Sequence, residues 1–473
     1  ETEDIVHLPL DFLPLKSFTN IHEGNALRMD WEQVISKDEL NYIMGNPPFV
    51  GASKMSKTQK EEAVNIFGNI PRASSIDYVG AWYCKAAQLI SNTNIHVAFV
   101  STKSITQGEQ VAALWGKLLY EYNTNIIFAY KPFKWNNEST NIASVYCIII
   151  GFENGKKEIK KYLYFDTGNT VKVSNINPYL IEAPDLIING RTKPLSHVPP
   201  ITYGNKPADG GNLILTEAEY NEIIKHDSNA QIYTKRFVSA KDFINSNEKR
   251  YCLWLRGVNP ALYRNNKDVM KRIQAVREMR LKSTSIATKR AAETPYLFFS
   301  APQTDNNYLC IPEVSGSSRK YIPIGFMNSD IIVNNKMLIV ANATLYHFGI
   351  LTSNVHMAWM RVVSGYLGTS YQYSGTFVYN NFPWPNPTEE QIEKIKQTAQ
   401  GILDARALYP ESSLADLYDE AAMPIELRKA HRANDKAVME AYGFWGKLNT
   451  ESECVAELMK MYQARVEELN TRK

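Results

Sequence analysis

Cysteine is scarce and scattered in this chain. There are five in 473 residues, Cys84, Cys147, Cys252, Cys310 and Cys454, with no Cys-x-x-Cys pair and no adjoining histidine. That spacing argues against a zinc site and a disulfide framework, and it suits a reducing cytoplasm. No apolar run approaches the roughly 18 residues that a membrane span requires, and residues 1–15 have neither a basic n-region nor an apolar h-region. Glycine is thin at the front: Gly24 stands alone in the first 40 residues, so no glycine-rich strand–turn–helix is found there. Internal repeats and low-complexity tracts are absent too. What remains is an ordinary globular composition, 44% hydrophobic and 21% charged, long enough for two or three domains.

The net charge of +3 conceals an uneven distribution. Residues 191–300 hold 19 Lys and Arg against 10 Asp and Glu, whereas residues 1–190 hold 17 against 20 and residues 386–473 hold 12 against 16. A basic block between two acidic ones is the footprint of a polyanion-binding module, or else of a solvated charged face. Texture divides the chain at similar points. Residues 39–190 alternate strand-like and helix-like patterns: Asn41–Met44, a helical spacing over Asp77–Ile90 with Asp77 placed as its cap, Ile95–Ser101, a helix over Gln110–Tyr120, then Asn125–Tyr130 and Ala143–Phe152. The buried-strand runs predict an α/β sheet covered on both faces. From about residue 190 prolines and glycines open a mixed region with a charged helix near Asn266–Thr288. The proline-dense stretch 381–387 closes it, and helical spacing follows over Thr388–Leu408 and residues 424–470.

The sharpest local signal is Asn46-Pro47-Pro48-Phe49, directly after the strand-like Asn41–Met44. Methylation of an exocyclic ring amine needs such an arrangement. The nitrogen is conjugated into its ring, and two acceptors aimed at its hydrogens draw the lone pair toward an incoming methyl. The Asn46 amide oxygen and the Pro47 carbonyl can serve, and an amide cannot be lost to protonation. The two prolines stiffen the turn and bring no competing N–H. Phe49 offers a flat face to an extruded base. The same four residues also suit a plain Pro-Pro turn after a strand.

Its neighbours carry a resemblance. The strings GNALRMDW, GNPPFVGASKMSKTQK, DYVGAWYCKAA, VAFVSTKSITQGEQVAALW and FKWNNESTNIASVYCIIIGF resemble the MmeI-type restriction–modification proteins. Residues 20–152 are similar to the second half of a class I, AdoMet-dependent DNA adenine-N6 methyltransferase of the gamma arrangement. PADGGNLIL, RYCLWL, RKYIPIGF and YSGTFVYNNFPWP extend the likeness along nearly the whole chain. The resemblance implies an α/β class I (Rossmann-like) methyltransferase half over residues 1–190, an α+β target-recognition domain over 191–387 and a helical C-terminal region over 388–473. It implies a target-adenine site at Asn46, Pro47, Pro48 and Phe49, a second aromatic supporting the flipped base at Phe133 or, failing that, Trp135, and AdoMet contacts at Asn25 and Ala26. Asparagine in the first motif position favours adenine over cytosine. The partner implied is double-stranded DNA in a bacterial cytoplasm, the cofactor is S-adenosyl-L-methionine, and Mg²⁺ is expected only for a nuclease part.

Where the family places its glycine-rich cofactor loop and nuclease, residues 1–20 show neither. The expectation is therefore a C-terminal portion of a longer enzyme, without tight AdoMet binding or methylation of its own, and with an apolar sheet edge prone to self-association. In the basic segment, Lys235, Arg236, Lys249, Arg250, Lys271, Arg272, Lys289 and Arg290 are phosphate-contact candidates. Base reading falls to Ser315–Lys320 and Gly365–Ser374: Gln372 for adenine, Arg319 or Lys320 for guanine, and Gly368 and Ser370 where bulk changes the reading. Each of these residues is equally compatible with a loop position touching only solvent or phosphate. His347, His356, Tyr371, Tyr373 and Tyr379 read as core, and the acidic tail reads as a helical brace. Two rivals stay open: a DNA-docking module without catalysis, and an RNA or protein-amine methyltransferase using the same motif.

Overall fold

The computed structural model describes residues 21–135, 145–155, 160–246 and 248–471. Residues 1–20, searched above for a cofactor loop, and the side chain of Trp135 lie outside the described residues.

A mixed sheet of six strands organises the first part. The strands are β1 (Tyr42–Gly45), β2 (His96–Thr102), β3 (Thr124–Trp135), β4 (Val145–Asn154), β5 (Lys161–Tyr164) and β6 (Thr170–Val173), in the spatial order β1-β2-β4-β3-β5-β6. β1 runs parallel to β2, and β3 parallel to β5, while β4 is antiparallel to both β2 and β3. β1, β2 and β3 therefore all end at one edge of the sheet. Strand β2 alternates half-buried and buried side chains, and its Val97 and Phe99 pack with Ile126, Ala129, Ile148, Ile150 and Phe152. Helix Lys57–Phe67 packs against helix Gly80–Leu89, which packs on the sheet through Tyr83, against Phe99 and Phe152. The first starts on a full capping box, Ser56 with Gln59. The second begins three residues later than the periodicity suggested. Its cap position is Val79, and the Asp77 side chain does not cap it, because its carboxylate is used elsewhere; only the Asp77 carbonyl accepts the Gly80 N–H, at 2.9 Å. The expected helix at 110–120 is a composite whose middle, Val111–Trp115, is a π-turn. β1 and β6 are the outer strands of the described sheet, and β1 has Tyr42 and Met44 exposed.

The rest divides by core rather than by order along the chain. Segment 213–298, together with Ile332, builds its own apolar cluster around Leu213, Tyr233, Leu253, Val269 and Val276. It is organised by a four-stranded sheet in the order Ile332–Val333, Thr234–Val238, Arg250–Leu253, Ile214–Thr216. A second four-stranded sheet contains Tyr308–Pro312 and Met337–Ala341. Its inner face merges with the core of the six-stranded sheet and with the helices that follow. A small three-stranded sheet ends in the hairpin Gly365–Leu367/Ser370–Gln372. The long helices Glu389–Ala407, Ile425–Tyr442 and Glu451–Thr471 pack on Leu345–Leu351 and Asn354–Val363, as a brace would.

Tyr371, Tyr373 and Tyr379 are buried, as expected of core. His347 accepts the Thr344 N–H at 3.1 Å in a capping box. His356 pairs with the Tyr373 hydroxyl at 2.9 Å, and His431 with the Tyr418 hydroxyl at 2.8 Å. Burial pushes His356 down to about 3 and His431 well below 6.5. Both are neutral when folded, so unfolding takes up their protons. Their contribution is complete above pH 6.5 and is lost as pH falls toward the folded values. Unfolding free energy is expected to drop by about 1.4 kcal/mol per pH unit for each of them below pH 6.5. Urea midpoints between pH 6.5 and 5 would read this slope, and His356→Gln should flatten it.

Candidate active site

The loop Asn46-Pro47-Pro48-Phe49 leaves the end of β1. Asn46 is exposed, Pro47 is buried, Pro48 is exposed and Phe49 is half-buried. Among the described residues neither the Asn46 amide nor the Pro47 carbonyl takes part in a hydrogen bond. Asn46, Pro47 and Pro48 line an open cleft of about 970 Å³ with Gly24, Asn25, Ala26, Trp31, Ile43, Tyr78, Trp82 and Phe99. The size suits a cofactor-scale ligand, and the lining pairs aromatic walls with two asparagines. Phe49 is not part of that lining.

The loop 24–31 is tied down from three sides. The Asn25 amide donates to Glu62 at 3.0 Å, and its oxygen accepts the Leu27 N–H at 2.9 Å. Trp31 donates its indole N–H to the Ala26 carbonyl at 2.8 Å. Lys85 donates to the Leu27 carbonyl at 3.0 Å and to the Met29 carbonyl, and its ammonium lies 5.3 Å from the Trp31 ring centre. The buried Glu62 gathers Asn25, Arg28 and the Tyr78 hydroxyl. The Tyr78 hydroxyl, then Arg28, hold its carboxyl below the ordinary 4.5, against a smaller upward push from burial. Burial and the same carboxylate push the Tyr78 phenol up to about 12. Asn25 and Ala26 line the same cleft as Asn46, Pro47 and Pro48; the sequence reading did not single out Glu62, Trp31 and Tyr78, which hold them. Since Glu62 is held low, the clasp is complete above pH 4.5 and is lost only as pH falls through a lower value. Ligand binding in the cleft is expected to be flat from pH 8 to 5, whereas Glu62→Ala should weaken it throughout, as read by calorimetric titration.

Phe133 stands near the end of β3, beyond an irregularity between Tyr130 and Phe133, edge-on to Tyr130 at 5.2 Å. The register aligns it through Cys147 with Thr102 at the end of β2. It thus shares the strand-end edge with Asn46, although it does not line the cleft.

The basic candidates fare differently from one another. Arg250 is paired with Asp242 at 2.5 Å and Arg272 with Glu219 at 2.5 Å, while Arg236 donates to the Arg250 carbonyl at 3.0 Å. These guanidiniums hold the lobe together. Lys249, Lys271, Lys289, Arg290 and Lys320 are exposed, and Lys235 and Arg319 are half-buried. Lys249 has only a 4.0 Å approach to Glu217. Gln372 donates to Glu313 at 3.3 Å. Ser370 lies on the last strand of the hairpin, after the turn residues Gly368 and Thr369. Gly368 has φ +61°, the left-handed conformation that a two-residue hairpin turn needs and that other residues adopt only under strain. Among the described residues no group of His, Cys, Asp and Glu could hold a metal ion, and no helix is long and apolar enough to cross a membrane.

Three domain models of one family match in succession: the MmeI DNA-methyltransferase domain over residues 2–165, the MmeI target recognition domain over 182–386 and the MmeI C-terminal domain over 387–470. DNA methyltransferase A of Bacillus subtilis (strain 168) is 38% identical over 457 residues, which is 96% of this chain and 51% of that protein. The solved structure of the Type IIL restriction–modification enzyme MmeI in complex with DNA superposes with a TM-score of 0.87 at 43% identity, over 98% of this chain and 62% of that one. The chain therefore spans about half the length of the curated relative it matches.

Proposed function

The chain belongs to the MmeI family, and from that premise we propose that it carries the target-binding and acceptor part of an enzyme that transfers a methyl group from AdoMet to adenine N6 at a specific sequence in double-stranded DNA. The observation that supports the chemistry is the pair of acceptors, the Asn46 amide oxygen and the Pro47 carbonyl, which take part in no hydrogen bond among the described residues and belong to residues that line a cleft with Asn25 and Ala26.

In this reading the target adenine leaves the duplex, and its amine donates one hydrogen to Asn46 and the other to the Pro47 carbonyl. Both bonds favour the pyramidal, nucleophilic form of N6 over the planar conjugated one, and they are in place before reaction. AdoMet, when bound, supplies an electrophilic methyl on a sulfonium centre. The loop Gly24-Asn25-Ala26 would hold its adenine ring, and the aromatic walls of Trp31 and Trp82 suit a flat ligand that excludes water. An amide is no base, so Asn46 orients the amine without taking its proton. That proton becomes strongly acidic once the methyl is attached and leaves to water. Phe49 and either Phe133 or Trp135 would sandwich the base. The exposed Lys249, Lys271, Lys289 and Arg290 would meet phosphates, and the hairpin carrying Gly368, Ser370 and Gln372 would meet base edges with Arg319 and Lys320.

Single-molecule sequencing of genomic DNA from cells expressing the full-length gene product, beside cells carrying an empty vector, tests the reading. N6-methyladenine confined to one short motif is the expected result. Expressed protein without motif-linked methylation would overturn it. Competition of duplex DNA against structured RNA for binding would then separate a DNA-docking module from an RNA methyltransferase.

A further inference from the structure

One buried carboxylate stands between the acceptor loop and the recognition hairpin. Asp77 is 9% exposed, and each of its polar groups faces a different partner. Its Oδ1 accepts the Ala52 N–H at 2.8 Å, three residues past Phe49. Its Oδ2 accepts the Ser104 hydroxyl, and its own N–H donates to Gln110 Oε1 at 2.9 Å. The next residue repeats the grip, with the Tyr78 N–H donating to the Val50 carbonyl at 2.9 Å. Residues 50–52, the direct continuation of the acceptor motif, are thus held by 77–78. Residues 77–78 are in turn held by the segment 103–110 that follows β2.

That same segment is the seat of the hairpin. Gly108 is buried at φ +54°, and a Cβ there would lie 3.3 Å from both the N and the Cα of Gly365, the first hairpin residue. The two backbones lie close together, and a side chain at 108 would be crowded against Gly365 and strained by its left-handed φ. Five residues earlier, the Lys103 ammonium lies 4.0 Å from the ring centre of Tyr366, a contact with attraction of its own.

We propose that Asp77 is a positioning residue. It fixes the acceptor loop through Ala52 and joins that loop, through Ser104 and Gln110, to the segment on which the recognition hairpin rests, so that the seating of the hairpin on its target sets the placement of the two acceptors. The proposal rests on the methyltransferase reading above. Its consequence is that a loosened Asp77 costs turnover rather than DNA affinity, because displacing preorganised groups by about an ångström costs on the order of 100-fold in rate.

The test uses the full-length protein, AdoMet labelled in its methyl group and a duplex bearing the target motif with its adenine unmethylated. Asp77→Ala is expected to lower kcat about 100-fold while leaving the Kd and KM for the duplex near wild type. Asp77→Asn should recover most of the rate. Its amide oxygen still accepts from Ala52, and its NH₂ can donate to Ser104, whose hydroxyl then turns to Thr102 at 2.8 Å. Should Asp77→Ala fail to fold, Ser104→Ala removes one arm of the clasp and is expected to show the same split between kcat and KM. Gly108→Ala, combined with Asp77→Asn or Ser104→Ala in a double-mutant cycle, should be non-additive in kcat. Unchanged turnover, a parallel loss of affinity and turnover, or strict additivity would each overturn the proposal. Absence of methylation by the wild-type protein would instead overturn the methyltransferase reading, and this proposal with it.

Discussion

Replacing Asn46 by alanine is expected to lower the turnover number for methyl transfer by about 10²–10³-fold, the scale on which one preorganised polar contact to a reacting centre is valued. Binding of the target duplex should stay near wild type, because that contact strengthens as the amine becomes pyramidal and adds little to the ground state. Asn46→Asp keeps an acceptor at the same place and should retain more activity than Asn46→Ala. Single-turnover transfer of a labelled methyl group, measured beside duplex Kd, separates the two effects. Since the Asn46 side chain is exposed and has no internal hydrogen bond among the described residues, the fold loses nothing in the exchange. A full-rate Asn46→Ala protein would place the acceptors elsewhere.

The second large effect is structural. Arg280 is fully buried on the helix Lys267–Leu281 and uses all five of its N–H groups on main-chain carbonyls. Nε donates to Ala208 at 3.0 Å, one terminal nitrogen to Ala291 and Thr294 at 2.9 and 3.1 Å, and the other to Pro207 and Leu297, both at 2.8 Å. Its cation sits in a cage of neutral dipoles and ties residues 207–208 to 291–297. Burial alone holds its pKa below the usual value. Arg280→Met strands five acceptors, and Arg280→Lys, with three donors, strands at least two. A loss of about 4 kcal/mol or more is expected for the methionine variant, and somewhat less for lysine. Urea unfolding of the segment 213–298 should report it, together with a fall in DNA retention while the methyltransferase-like sheet stays folded.

How far the sequence announces all this depends on the distance between interacting residues. The strands and the acceptor motif are legible because their signal is local: an apolar run followed by Asn-Pro-Pro-Phe places the loop at a strand end without further information. Asn25 and Ala26 were legible through resemblance alone. Glu62, 37 residues from Asn25, and Asp77, 25 residues from Ala52, act through folding of the chain onto itself, and nothing near them in the sequence announces it. Asp77 even carried a misleading signal, since an acid ahead of an apolar helix reads as a cap. Arg280 did leave a trace. Val269, Ile273 and Val276 set an apolar stripe, and Arg280 continues it at the position where the next aliphatic belongs. A cation on such a stripe marks a buried one with partners. Within the basic block, Arg236, Arg250, Arg256, Arg272 and Arg280 are engaged by the chain's own carboxylates and carbonyls, which a count of charges along the sequence does not separate from free cations.

The division of cores bears on how such a protein can change over generations. The lobe 213–298 packs mainly on itself, so in the proposed reading changes among its exposed lysines would alter phosphate contacts without disturbing the loop after β1. The hairpin at 365–372 has no such freedom, because its first residue presses on Gly108. In the proposed reading, Leu367 and Thr369 at the exposed tip can vary without touching that contact, whereas a side chain at 108 would crowd the Gly365 backbone. Changes in what is read would then fall on the outward residues, while the seat beneath them stays glycine.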